Sequence, residues 1–340
     1  MSDWKIYQDP GNDPQSQPDR LAQLPPAPDW RPSGRKAESP AGATAAQTRS
    51  EEKAKTFRPR EQDIELVNAA LYLRRPLLVT GSPGVGKSSL VYSVAYQLGL
   101  GEVLYWPITT RTTLQDGLYS YDAIGRLQDP NAKDSLANIG KYIQLGALGT
   151  ALLPSTRPRV LLIDEIDKGD IDLPNDLLCV FEEGGFNIRE LTRIKEELPE
   201  GIATVQTSYT DGAETTFPVP AGRVDCDAFP FIVMTSNGER DFPAPFLRRC
   251  IRLTMNEPDQ AELTRIVEAH LKQEATAAVK TLIHEFYERR EEVREKRGNL
   301  ATDQLLNAVY LVTQGKVLDE VSRKRLLDQL WKPLSSSEDT

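Results

Sequence analysis

Few folds accommodate the stretch "LLVTGSPGVGKSSLVYSV" at residues 77–94. Leu77, Leu78 and Val79 run straight into a glycine loop, and Leu90, Val91 and Val94 then recur on one helical face. Strand, glycine turn and helix in that order form the unit of a parallel α/β sheet. Gly81, Ser82, Pro83, Gly84, Val85, Gly86, Lys87, Ser88 and Ser89 supply the loop and first helical turn, with the spacing of a phosphate-binding loop. Glycine lets backbone N–H groups converge on an anion with no side chain in the way. The helix N-terminus adds partial positive charge. Lys87 has the reach for the β- and γ-phosphates of a nucleotide, and the Ser88 hydroxyl can ligate Mg2+.

Two more strand ends carry chemistry. "RVLLIDEID" (159–167) is apolar at every position from Val160 to Ile163, as a strand covered on both faces requires. Asp164 can hold Mg2+ through water, and Glu165 can polarise a water for attack on a γ-phosphate. "FPFIVMTSN" (229–237) reads as another buried strand, and it ends by presenting Asn237 to that water. Arg248 and Arg249 follow a proline-bearing turn. Such a pair serves either as surface charge or as a finger reaching a neighbouring subunit's γ-phosphate.

The chain divides by pattern. Residues 1–52 are rich in proline and poor in apolar side chains, so they bury too little surface to offset their ordering entropy and read as a disordered tail. Within them Trp4, Ile6, Tyr7 and Trp30 fit either scattered aromatics or a short docking motif. Residues 53–256 carry the α/β pattern. It includes helices within 110–154 broken by Asp-Pro-Asn at 129–131, a helix stopped by Gly184-Gly185, and a hairpin turning at Asp211-Gly212. Residues 257–333 show helical periodicity only, and 334–340 read as a second disordered end. The run "YERREEVREKR" (287–297) interleaves charges at i,i+4 spacing and predicts a solvated helix face.

Composition removes several classes. Cys179, Cys226 and Cys250 form no CxxC pair and suit core packing in a reducing compartment, and His270 and His284 are the only histidines. That is too few ligands for a zinc site and no basis for a histidine-based nucleophilic triad. There is no apolar run of about 18 residues and no signal-peptide pattern, so a cytoplasmic chain without membrane contact is expected. A net charge of −9 opposes wholesale nucleic-acid binding, which needs a basic face.

Taken in order, "GSPGVGKSS", "LLIDEID", "MTSN" and "FLRRC", followed by helices, resemble the AAA+ ATPases. Within them, "DEIDKGDIDLPNDLLCVFEEGGF", the hairpin before the third strand and the added helices at 110–154 are similar to the MoxR branch. The resemblance covers about residues 57–330. It implies a P-loop parallel sheet flanked by helices, then a small all-α lid, with ATP and Mg2+ as cofactors. It implies Lys87 and Ser88 on phosphate and metal, Asp164 supporting the metal, Glu165 as base and Asn237 as first sensor. Arg249 best matches the finger position, with Arg248 next. It further implies an ATPase acting as a homo-oligomeric ring, a hexamer, that remodels or matures a partner protein in a chaperone-like way. Partners of that branch bear a von Willebrand factor A domain.

One departure stands at the lid. Where many members carry a nucleotide-sensing arginine, this chain has Ala301-Thr302-Asp303-Gln304, with Thr302 a suitable N-cap and Gln304 at the arginine's place. Asp167-Lys168-Gly169-Asp170 partly resembles a guanine-binding motif but lies too close to Asp164 to reach a base, so ATP is the nucleotide expected. Two other readings stay open. One is an ATP-dependent switch or scaffold in a bacterial signalling or defence system. The other is a nucleic-acid motor or loader, which lacks a helix-turn-helix, zinc finger or stacking strip to support it.

Overall fold

The computed structural model describes residues 53–129, 136–209, 214–296, 298–314 and 320–333. The Pro-rich tail, the expected break at 130–131, the Asp211-Gly212 turn and the end 334–340 lie outside them.

Helix α1 (Glu61–Leu73) ends at Arg74 in the left-handed conformation and leads into β1 (Leu77–Thr80). Next come α2 (Lys87–Leu98) and β2 (Val103–Pro107). An inserted stretch follows: α3 (Leu114–Leu118), β3 (Tyr119–Tyr121), α4 (Ala123–Gln128), β4 (Ile143–Leu145) and α5 (Ala147–Ala151). The chain re-enters the main sheet at β5 (Val160–Asp164), then forms α6 (Leu173–Glu183), β6 (Gly185–Asn187) and α7 (Arg189–Arg193). β7 (Ile202–Gln206), β8 (Thr216–Pro220) and β9 (Arg223–Asp225) precede β10 (Phe231–Ser236), α8 (Ala244–Leu247) and β11 (Ile251–Thr254). Four helices end the chain: α9 (Gln260–Leu271), α10 (Ala277–Glu295), α11 (Thr302–Gln314) and α12 (Glu320–Leu330).

The main sheet has the order β11-β1-β10-β5-β2, and every pair in it is parallel. Burial explains the strand sequences. β10 is buried at every position and β5 at all but its last, whereas edge strands β2 and β11 alternate. Leu77, Val79, Leu162 and Val233 pack under α2 with Leu90 and Val91. Leu78, Leu161, Ile163, Ile232 and Met234 face the other side, against the inserted residues.

The insert differs from the two helices its local pattern predicts. It breaks into short helices joined by strands, and the reason is long-range pairing. β3 pairs antiparallel with β4, and β4 pairs parallel with β7 through Gln144 and Gln206. The expected hairpin, β7 with β8, is thereby extended to a four-stranded sheet β3-β4-β7-β8. Gly149 in α5 lies so close to the end of α3 that a Cβ there would overlap the Leu118 carbonyl oxygen.

The C-terminal helices enclose their own core of Leu263, Leu282, Phe286, Leu305, Val309 and Trp331. Phe286 and Trp331 meet edge to face at 5.4 Å. The charged run on α10 is not solvated throughout. Arg290 is buried, and its guanidinium donates to the Pro258 carbonyl and lies 3.7 Å from Glu257, since it points back at the link to the sheet. Thr302 is not an N-cap either; it is the first residue of α11. Gln304 reaches back to accept from the Ala301 N–H at 2.8 Å, and its amide donates to the Leu330 and Lys332 carbonyls at 2.9 Å each. Among the described residues no helix is long and apolar enough to cross a membrane. Of the cysteines, Cys250 is buried, but Cys179 is exposed on α6, outside the core packing its sequence context suggested.

Candidate functional site

Ligands of open α/β sheets bind beyond the carboxyl ends of the parallel strands, and the candidate residues gather there. The loop after β1 takes positive φ at Gly84 (79°) and Gly86 (97°), which places successive N–H groups at the mouth of α2. A Cβ on Gly84 would stand 2.8 Å from Ala301 Cβ and 3.1 Å from the Thr302 nitrogen, so the start of α11 rests on this loop. Exposed Pro83 and half-buried Ser82, Val85, Ser88 and Ser89 complete the cradle.

Lys87 is buried. Its Nζ donates to the Gly81 carbonyl (2.6 Å), the Ser82 carbonyl (3.0 Å) and Asn237 Oδ1 (2.8 Å). Burial lowers its pKa, against the opposing pull of Asp164, Asp167 and Glu165. Asn237 is brought to the loop because β10 lies between β1 and β5.

Asp164 collects three hydroxyls. Ser88 donates to its Oδ1 at 3.0 Å, Thr235 to the same oxygen at 2.6 Å, and Tyr105 to Oδ2 at 3.2 Å. The Tyr105 hydroxyl is pushed up to about 12, first by burial and then by the Asp164 charge. Glu165 sits in the left-handed region (φ 60°, ψ 48°), with its N–H bonded to Thr235 Oγ1 at 2.9 Å. A non-glycine residue there costs about 1–2 kcal/mol, and such strain concentrates at functional sites. The Glu165 carboxylate pairs with Lys168 Nζ at 2.8 Å. Asp167 accepts from the Asn237 and Glu239 N–H groups at 2.9 and 3.1 Å.

Ser88 and Asp164 form a hard oxygen donor set of the kind Mg2+ takes when substrate phosphates and water supply the remaining ligands. Among the described residues there is no cluster of three or more His, Cys, Asp or Glu side chains suited to a metal.

Arg248 and Arg249 are not part of this gathering. They precede β11, which runs parallel to β1 with Ile251 level with Leu77, and the Arg248 carbonyl accepts from Arg75. They therefore stand at the entry end of strands whose exit end bears the loop, about 13 Å or more away by the rise of four strand residues. Arg249 pairs with Glu182 on α6 and donates to the Pro245 carbonyl at 3.2 Å. Arg248 is exposed, and among the described residues nothing pairs with its guanidinium.

Thr235, Tyr105, Asp167 and Lys168 were not singled out from the sequence for these contacts. Thr235 carried a signal, as a hydroxyl at the end of a buried strand. Lys168 meets Glu165 three residues away within one turn, and Tyr105 and Asp167 meet their partners through strand register.

A parallel sheet with this loop, an acidic pair on the second strand from it and an amide on the strand between defines a P-loop nucleotide-binding domain. The chain belongs to the AAA ATPases. The model of the AAA domain, dynein-related subfamily, matches residues 76–253, more than half of the chain. A comparison with curated proteins gives no match.

Proposed function

We propose that the chain hydrolyses Mg2+·ATP at residues 81–89 and works as a MoxR-type homo-oligomeric ring, a hexamer, that remodels a partner protein. One observation carries this reading. The phosphate-facing groups meet at one end of the sheet, while both arginines stand at the other, out of reach of their own loop. A chain built this way needs a second copy to complete the site. The finger is Arg248, because its side chain is free to extend, and Arg249 holds the turn through Glu182.

The residues divide the work as follows. Backbone N–H groups of the loop bind the phosphates, and Lys87 leaves Asn237 for the β- and γ-oxygens. Ser88 and Asp164 would hold Mg2+, which would supply positive charge to offset that of the phosphates. Glu165 polarises the attacking water, and Asn237 orients it. Lys168 occupies one oxygen of Glu165 and leaves the other for that water. The MoxR assignment, and with it a partner bearing a von Willebrand factor A domain, rests on the ordered motifs and on the insert joined to the hairpin.

Sedimentation velocity with and without Mg2+·ATP tests assembly. A nucleotide-stabilised species several times the monomer mass is expected, and a monomer under both conditions overturns the ring. The Lys168–Glu165 pair also favours a second reading, a slowly hydrolysing switch or scaffold. Glu165→Gln separates the two: biological activity retained without hydrolysis selects the switch.

A further inference from the structure

Asp167 is 3% exposed, although it is a carboxylate. The short 3-10 turn Ile166–Lys168 places it just beyond Asp164 and Glu165. A buried carboxylate is costly unless hydrogen bonds satisfy it, so its partners matter. Both of its bonds run through Oδ2, to Asn237 N–H and Glu239 N–H. Its Oδ1 is also buried and has no donor among the described residues. The turn it grips is not held by packing at its apex: Gly238, at φ 78°, has open space where a Cβ would be. Gly238 N–H bonds only within the turn, to Ser236 Oγ at 3.0 Å. The Asn237 side chain in turn reaches Lys87 Nζ.

We propose that Asp167 is a positioning residue for ATP hydrolysis: its buried carboxylate ties residues 237–239 to the turn after Asp164-Glu165, and so sets the Asn237 amide in register with Glu165 over one γ-phosphate. The inference rests on the reading that Asn237 takes part in hydrolysis. It goes beyond that reading by assigning the element that aims Asn237. Two groups from separate strands meet one phosphate, and a tie between their turns removes a slack that neither strand controls.

The test compares kcat, KM, binding of a fluorescent ATP analogue and melting temperature for Asn237→Ala, Asp167→Ala, Asp167→Asn and the double variant Asp167→Ala/Asn237→Ala. Asp167→Ala is expected to lose kcat about a hundredfold, as an ångström-scale misplacement does, with ATP affinity little changed. Asp167→Asn keeps an oxygen at the Oδ2 position and is expected to hold the parental kcat. The double variant is expected to fall within about twofold of Asn237→Ala alone, because the two residues act as one unit. Parental kcat in Asp167→Ala overturns the proposal, as does a double variant that multiplies the single losses. Should Asp167→Ala not fold, Asp167→Asn decides: a parental rate supports the tie, and a rate as low as that of Asn237→Ala overturns it. Should Asn237→Ala itself run at the parental rate, the role given to Asn237 fails, and the proposal with it.

Discussion

Lys87 shows how a residue's chemistry is set by what surrounds it. Its ammonium donates to two loop carbonyls and to Asn237 Oδ1, all within 3.0 Å. Charge-assisted hydrogen bonds contribute about 1.5–3 kcal/mol, so Lys87→Ala is expected to weaken ATP binding roughly ten- to a hundredfold in titration of a fluorescent analogue. Tyr105 makes the smaller contribution. Tyr105→Phe removes one of three hydroxyls on Asp164, and the half-saturating Mg2+ concentration for hydrolysis is expected to shift by about two- to tenfold, the range of a single long, half-exposed hydrogen bond. An unchanged Mg2+ dependence would detach Tyr105 from the site. At this scale the loop residues, Asp164, Glu165 and Asn237 are legible because each follows an apolar strand within its own short motif. Tyr105 was not. It reaches Asp164 only because β2 pairs with β5 in the register Pro107 to Asp164, across 59 residues of chain. Arg248 and Arg249 are indistinguishable in the sequence, and contacts to Glu182 on a separate helix and to the Pro245 carbonyl set Arg249 apart.

The elements divide by how local their causes are. β5 and β10 could be read directly because strands covered on both faces are apolar throughout, and α6 because Gly184 stops it in the left-handed conformation. The insert could not. Its segments are three to seven residues long, and partners distant along the chain, inside the insert and beyond it, decide their state. The helical pattern gives way after Leu118, where Tyr119 pairs with Leu145, and β4 has its second neighbour in β7. Close contact at Gly149 secures that arrangement. Gly149→Ala is expected to destabilise the protein by about 1–3 kcal/mol through overpacking against Leu118, measured by chemical denaturation. A neutral outcome would mean that α5 and the end of α3 are free to separate.

At the scale of the whole molecule, the link between sheet and helices is gripped from both sides. Arg60, ahead of α1, bonds Glu262 through two nitrogens at 2.8 and 2.6 Å and also donates to the Asn256 and Glu257 carbonyls. Arg290 holds the Pro258 carbonyl from the helical side. The hydrogen bond from Arg60 keeps the Glu262 carboxyl below the usual glutamate range, against the opposing effect of burial. A lowered carboxyl pKa contributes stability that is fully present above the ordinary value and is lost as pH falls through the lowered one. Glu262→Gln is therefore expected to lower the melting temperature by about 2–4 °C near neutral pH, the size of a partly exposed pair. The difference from the parent protein should close on acidification below about pH 4. A gap that persists in acid would locate the effect in packing instead. Gln304 binds the end of α12 to the start of α11, and that start rests on Gly84 through Ala301 and Thr302, so the helical region touches the nucleotide loop.

The central claim is that one chain holds the loop, the base and the amide while another supplies the arginine. ATP hydrolysis by an equal mixture of Glu165→Gln and Arg248→Ala chains tests it most directly. Each variant alone should be nearly inactive. In mixed rings, roughly one site in four would lie between an intact base and an intact arginine, so the mixture should recover about a quarter of the parental rate. A mixture no faster than its two components, or an Arg248→Ala chain that hydrolyses ATP at the parental rate alone, would contradict the shared site.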